Sequence, residues 1–198
     1  MDRLEKRKEI FNHIVEDIEK TGYVMKHNKI DLMKMNIFSL ILMIIYGSIV
    51  FSIQIFFHGL TIDFTFQNYI LFLMGLMVSI IVHEGIHALT AHIVSKVPFH
   101  QIEFGIMKGN PYCYVCAKVT KKQYLFFVLM PTIVLGIGMS IIGLLMSNFW
   151  ILLLATLNFA SGAGDICVAY QLVNQECEFV IDHPTDVGYV YFEKKEIF

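Results

Sequence analysis

Apolar positions in this chain fall in long unbroken runs, and most charged residues lie between them. Residues 35–57 (MNIFSLILMIIYGSIVFSIQIFF) carry no charged side chain. At 1.5 Å per residue a helix of this length crosses a hydrocarbon core of about 30 Å. Residues 64–82 are again free of charge, and the apolar stretch continues past His83 and Glu84 to about Ser95. From Gln123 to Gly164 there are 42 residues without Asp, Glu, Lys or Arg, roughly twice what one crossing needs. This predicts a helical hairpin that turns at Ser147 and Asn148, its second arm running through Asp165 to about Val173. Four spans are expected, at about 35–57, 68–94, 123–146 and 149–173.

Between the runs the pattern changes. Near the N-terminus, DRLEKRKEIFNHIVEDIEK puts Ile10, Phe11, Ile14, Val15 and Ile18 on one helical face. Either a helix lying on the membrane surface or a solvated extension fits that pattern. Residues 99–107 and 112–119 have strand composition around Lys108-Gly109-Asn110-Pro111, a β-hairpin signal. The expected fold is an all-α polytopic membrane protein, four transmembrane helices with a small cytoplasmic β-hairpin between the second and third. Its parts are an amphipathic N-terminal segment (1–34), the membrane domain (35–173) and a C-terminal tail (174–198).

Composition agrees with that solvent. Apolar residues make up 56% and charged residues 16% of the 198, against roughly 25% charged in globular proteins. With 15 basic and 17 acidic residues, no basic surface for nucleic acid is expected. Residues 1–34 hold eight Lys or Arg, 95–122 hold five and 174–198 hold two, which is all fifteen. Excess basic residues mark cytoplasmic segments, so both termini and the central loop are expected in the cytoplasm of a multi-pass cell-membrane protein.

The candidate chemistry lies inside the spans. His83-Glu84-Gly85-Ile86-His87 is an HExxH motif, which on a helix aims both imidazoles at one cation. Glu84, one residue on, is placed to take a proton from a water beside that cation. A structural histidine pair is the alternative, but ionisable groups inside membrane helices are rare and usually functional. Asp165 is the lone acid in the second arm of the long apolar run, a candidate third ligand to Zn2+. It stands eight residues before the end of its span, as His87 does, so both lie roughly 12 Å from the inner boundary. An Asp capping a helix break near Gly162 and Gly164 is the other reading. Nine residues from His83, His92 faces away from the motif. Cys113 and Cys116 form a lone CxxC, read as unpaired thiols in a reducing compartment. Two helical turns before Asp165, Asn158 serves either to orient a ligand or to bond between helices. Pro131 is expected to kink the third span, with a neighbour satisfying the carbonyl it frees.

Taken together, HEGIHALTA in a span, KKQYLFFVLMPTIVL after the hairpin, NFASGAGDICVAY and the terminal DVGYVYF resemble the bacterial putative zincin peptidases. More distantly, the motif logic resembles the site-2 class of intramembrane zinc proteases. That resemblance implies zinc held by His83, His87 and Asp165, with Glu84 as the catalytic carboxylate. It also implies hydrolysis of membrane-embedded proteins or peptides near the cytoplasmic face of the bilayer. Here the Asp stands in Gly164-Asp165-Ile166 rather than in the usual Asp-Gly setting. A non-proteolytic metal sensor or carrier would need the same ligands but could dispense with Glu84.

Overall fold

The computed structural model describes residues 3–107 and 109–195. Asp2 of the amphipathic segment, Lys108 of the expected turn and residues 196–198 of the tail lie outside the described residues. In chain order the first elements are α1 (Arg3–Glu19), β1 (Tyr23–Lys29), α2 (Leu32–His58), α3 (Phe66–Ser95), β2 (Ile102–Met107), β3 (Asn110–Val115) and β4 (Val119–Thr120). They are followed by α4 (Lys121–Pro131), a π-helical stretch (Thr132–Gly138), α5 (Met139–Leu145), α6 (Phe149–Ser161), α7 (Ala163–Val173), β5 (Phe179–Asp182) and β6 (Gly188–Lys194).

This architecture corrects the all-α expectation. The fold is mixed, with a four-stranded antiparallel sheet in the order β1-β6-β5-β4 and a two-stranded sheet β2-β3. Among the described residues, three helical stretches are long and apolar enough to cross a membrane: Leu32–His58, Phe66–Ser95 and Lys121–Leu145. Where a fourth span was expected, α6 and α7 meet at a 43° bend. The larger sheet is hidden from the sequence pattern for two reasons. Its two longest strands pair residues 23–29 with 188–194, a contact invisible to local pattern. And β6 is buried on both faces from Tyr189 to Phe192, so it lacks the alternation that marks a half-exposed strand.

Two compact units divide the chain. The first runs Asp31–His83 and Leu129–Cys167. Asp31 caps α2 by accepting the amides of Met33 and Lys34 at 3.0 and 3.3 Å, meeting two donors a helix start leaves open. At the expected hairpin turn, Ser147 takes φ 50° and Asn148 caps α6 through the Ile151 amide at 3.1 Å. Gly136 allows the close packing of α6, because a Cβ there would stand 2.9 Å from the Phe159 ring. Phe159 in turn stacks on Tyr46 of α2, centroids 3.7 Å apart.

The second unit comprises the chain up to Ile30, Glu84–Val128 and the chain from Val168 on. Phe11, Val15 and Ile18 of α1 are buried against Ile181, Val190 and Phe192 of β5 and β6. The stripe that reads as a membrane-surface face is therefore covered by the sheet, at about 1.5–3 kcal/mol per buried side chain. On the other face of the sheet, Val180, Tyr189 and Tyr191 pack with Ala88 and Ala91 of α3, Val115 of β3, Tyr124 and Phe127 of α4, and Leu172 of α7. Arg7 ties α1 to the hairpin: it bonds Glu103 at 2.5 Å and the Tyr112 hydroxyl at 2.8 Å, and lies over the Tyr114 ring. Thr120 and Gln123 close a reciprocal capping box at the start of α4, which sets where that helix begins.

Candidate metal centre

His83 and His87 stand one turn apart on α3, both buried. Asp165 lies in the first turn of α7, just past the break at Gly162. Two hydroxyls hold the break: that of Ser39 on α2 donates to the Ala160 carbonyl at 2.7 Å and that of Ser161 to the Asn158 carbonyl at 2.8 Å. Asp165 Oδ2 reaches His83 Nε2 at 3.1 Å. One ligand atom each from His83, His87 and Asp165 all lie within 4.8 Å of one another. Two imidazole nitrogens and one carboxylate oxygen are a donor set that suits zinc, and three protein ligands leave a position open for water or substrate.

Pro131 matters here for the hydrogen bond it cannot make. Lacking an N–H, it cannot bond the carbonyl four residues back, which is Phe127. That carbonyl accepts instead from Nδ1 of His87, at 2.9 Å. Since a carbonyl only accepts, the proton sits on Nδ1, and Nε2 carries the lone pair that could bind a metal.

Gly162 packs on the π-helical stretch so closely that a Cβ would lie 2.0 Å from Thr132 Oγ1 and 3.0 Å from Thr132 Cβ. Gly162→Ala is expected to cost about 1–3 kcal/mol, and adding Thr132→Ala to recover part of it. Thermal melting of the single and double variants measures both.

The other residues singled out from sequence fall elsewhere. His92 bonds the Val97 carbonyl through Nδ1 and stacks on Phe99. Asn158 is buried and donates to the Leu154 carbonyl of its own helix at 2.9 Å. Cys113, Cys116, Cys167 and Cys177 are free thiols. Burial, with the negative charges of Asp182 and Glu84, pushes the Cys113 thiol far up.

Asp182 is a residue that sequence reasoning did not single out. It sits on β5, its Oδ1 accepting from the Tyr124 hydroxyl at 2.5 Å and its Oδ2 from the Val115 amide at 2.7 Å. The signal in the sequence is an acid that directly follows the apolar run Phe179-Val180-Ile181. Desolvation pushes its carboxyl up to about 6, against the two hydrogen bonds and nearby His87, which pull it down. A folded-state value above the unfolded one means protonation favours folding. This stabilisation is full below about pH 4 and lost as pH rises through about 6. The metal-free protein is therefore expected to lose roughly 3 kcal/mol across that window. Asp182→Asn should flatten the change, as read from melting temperature against pH.

HExxH on a helix long and apolar enough to cross a membrane, with a carboxylate brought to it from another helix, is a donor arrangement that could hold a zinc ion. The family profile of the putative zincin peptidases matches residues 76–178, and the chain belongs to that family. No curated protein and no solved structure gives a significant match.

Proposed function

We propose that the protein is a zinc-dependent intramembrane peptidase, cutting membrane-embedded proteins or peptides near the cytoplasmic face. The observation that carries this reading is the convergence of His83, His87 and Asp165, with Glu84 beside them on α3. The ligands would be His83 Nε2, His87 Nε2 and an Asp165 carboxylate oxygen. When bound there, zinc supplies Lewis acidity toward water and toward the scissile carbonyl. Glu84 accepts the proton of the attacking water and returns it to the departing amine. The carbonyl of Phe127 holds His87 in the tautomer that presents Nε2. A helical substrate hides its carbonyls in its own hydrogen bonds, so it must unwind before it is cut. Basic residues at 1–34, 95–122 and 174–198 support cytoplasmic termini and water entry from that side of a bacterial plasma membrane.

The test is purification in detergent, metal quantification, and cleavage of a panel of single-span peptides. Stoichiometric zinc with metal-dependent cleavage supports the peptidase. Bound zinc without cleavage across the panel favours a sensor or carrier, and wild-type protein that takes up no zinc rejects both.

A further inference from the structure

Buried polar groups that the ligand set does not use line up behind His87. The tautomer of His87 that presents Nε2 is the one in which Nδ1–H meets the Phe127 carbonyl, 2.9 Å away. In an uninterrupted helix that carbonyl would be occupied by the amide of residue 131; here residue 131 is a fully buried proline. The position of the carbonyl is set by α4, and α4 is anchored one turn earlier by Tyr124. The Tyr124 ring packs edge-on against Phe127, centroids 4.9 Å apart, and its hydroxyl donates to Asp182 at 2.5 Å. Through its other oxygen, Asp182 holds the Val115 amide of β3. A carboxylate withdrawn from water costs stability, and this one spends its hydrogen bonds on the helix behind His87 and the strand that carries Cys113.

We infer that Pro131, Tyr124 and Asp182 are positioning residues for the metal centre: Pro131 keeps the Phe127 carbonyl open, and the Asp182–Tyr124 pair holds it where His87 Nδ1–H meets it. The inference rests on the zinc reading above. It assigns a role to a helix-breaking residue and to a carboxylate of the C-terminal strands, both acting through the Phe127 carbonyl on His87.

Pro131→Ala separates positioning from simple stability. An alanine amide can reclaim the Phe127 carbonyl, and alanine suits a helix interior far better than proline. The variant should therefore melt no lower than wild type yet bind zinc about 10-fold more weakly, the low end of what losing an outer-shell partner costs. Zinc affinity is measured on the full chain in detergent by competition with a chelator. Tyr124→Phe, which removes one oxygen, should weaken zinc 10–100-fold and lower kcat more than it changes KM. Asp182→Asn should keep most of the affinity, since its amide can accept from Val115 and donate to the Tyr124 oxygen. Val128→Ala, a cavity in the same buried cluster, controls for loosening and should leave zinc affinity within twofold.

If Pro131→Ala and Tyr124→Phe both bind zinc within twofold of wild type, the inference fails. It fails equally if Val128→Ala loses as much affinity as Tyr124→Phe. Wild-type protein without zinc would instead overturn the metallopeptidase reading. The imidazole nitrogen shifts of His87 in metal-free protein then still decide the positioning claim. Nδ1–H in wild type and a tautomer mixture in Pro131→Ala uphold it, and the same tautomer in both rejects it.

Discussion

Glu84→Gln is expected to lower peptide hydrolysis by about 10²–10⁴-fold, the range general-base catalysis contributes, while zinc stays bound at full stoichiometry. The amide keeps the size of the carboxylate but cannot accept a proton from water at neutral pH. Because Glu84 is not one of the three converging ligands, metal affinity should change little. Single-turnover cleavage of a single-span peptide, with zinc quantified on the same sample, reads both effects. A sensor or carrier would behave differently, since losing Glu84 would leave its metal response intact. Cleavage at the wild-type rate in Glu84→Gln would remove the base from the mechanism.

Asp165→Asn should produce the complementary result, losing metal and activity together. Two imidazoles one turn apart on a helix make a poor zinc site alone; the carboxylate supplies the third donor and the negative charge. Affinity should fall by more than the 10–100-fold typical of an outer-shell partner. The substitution also tests the capping alternative, because asparagine is as good a cap as aspartate. Retained folding with lost zinc assigns Asp165 to the metal. Wild-type zinc affinity in Asp165→Asn would reduce it to a residue of the helix break. Competition with a chelator and thermal melting distinguish these outcomes.

Much of the candidate centre is legible in the sequence, and the reason is local. An HExxH sequence carries its own geometry once the segment is helical, because the spacing of four is a helical turn. An acid that directly follows a 42-residue run free of charge stands out because ionisable groups are rare in segments apolar enough to cross a membrane. The turn at Ser147 and Asn148 is legible for the same reason, being the polar break in that run. The α1 stripe shows the limit of such reasoning. Its apolar face is visible, but whether lipid, water or protein covers Phe11, Val15 and Ile18 is not written in residues 1–19. The same holds for Asp182, whose two partners are 58 and 67 residues away in the chain.

By itself the sequence determined which stretches are apolar, which helix carries the HExxH histidines and where the chain turns at Ser147 and Asn148, since each depends on side chains within a turn or two of one another. It did not show the break at Gly162 that divides 149–173 into α6 and α7. Only the tertiary structure decided that residues 23–29 and 179–194 build a sheet, that α1 is buried against it, and that Asp165 reaches His83. It also decided that the carbonyl left open by Pro131 is taken by His87. These are pairings between distant segments, chosen by which polar groups must be satisfied and which apolar faces covered once the whole chain is folded.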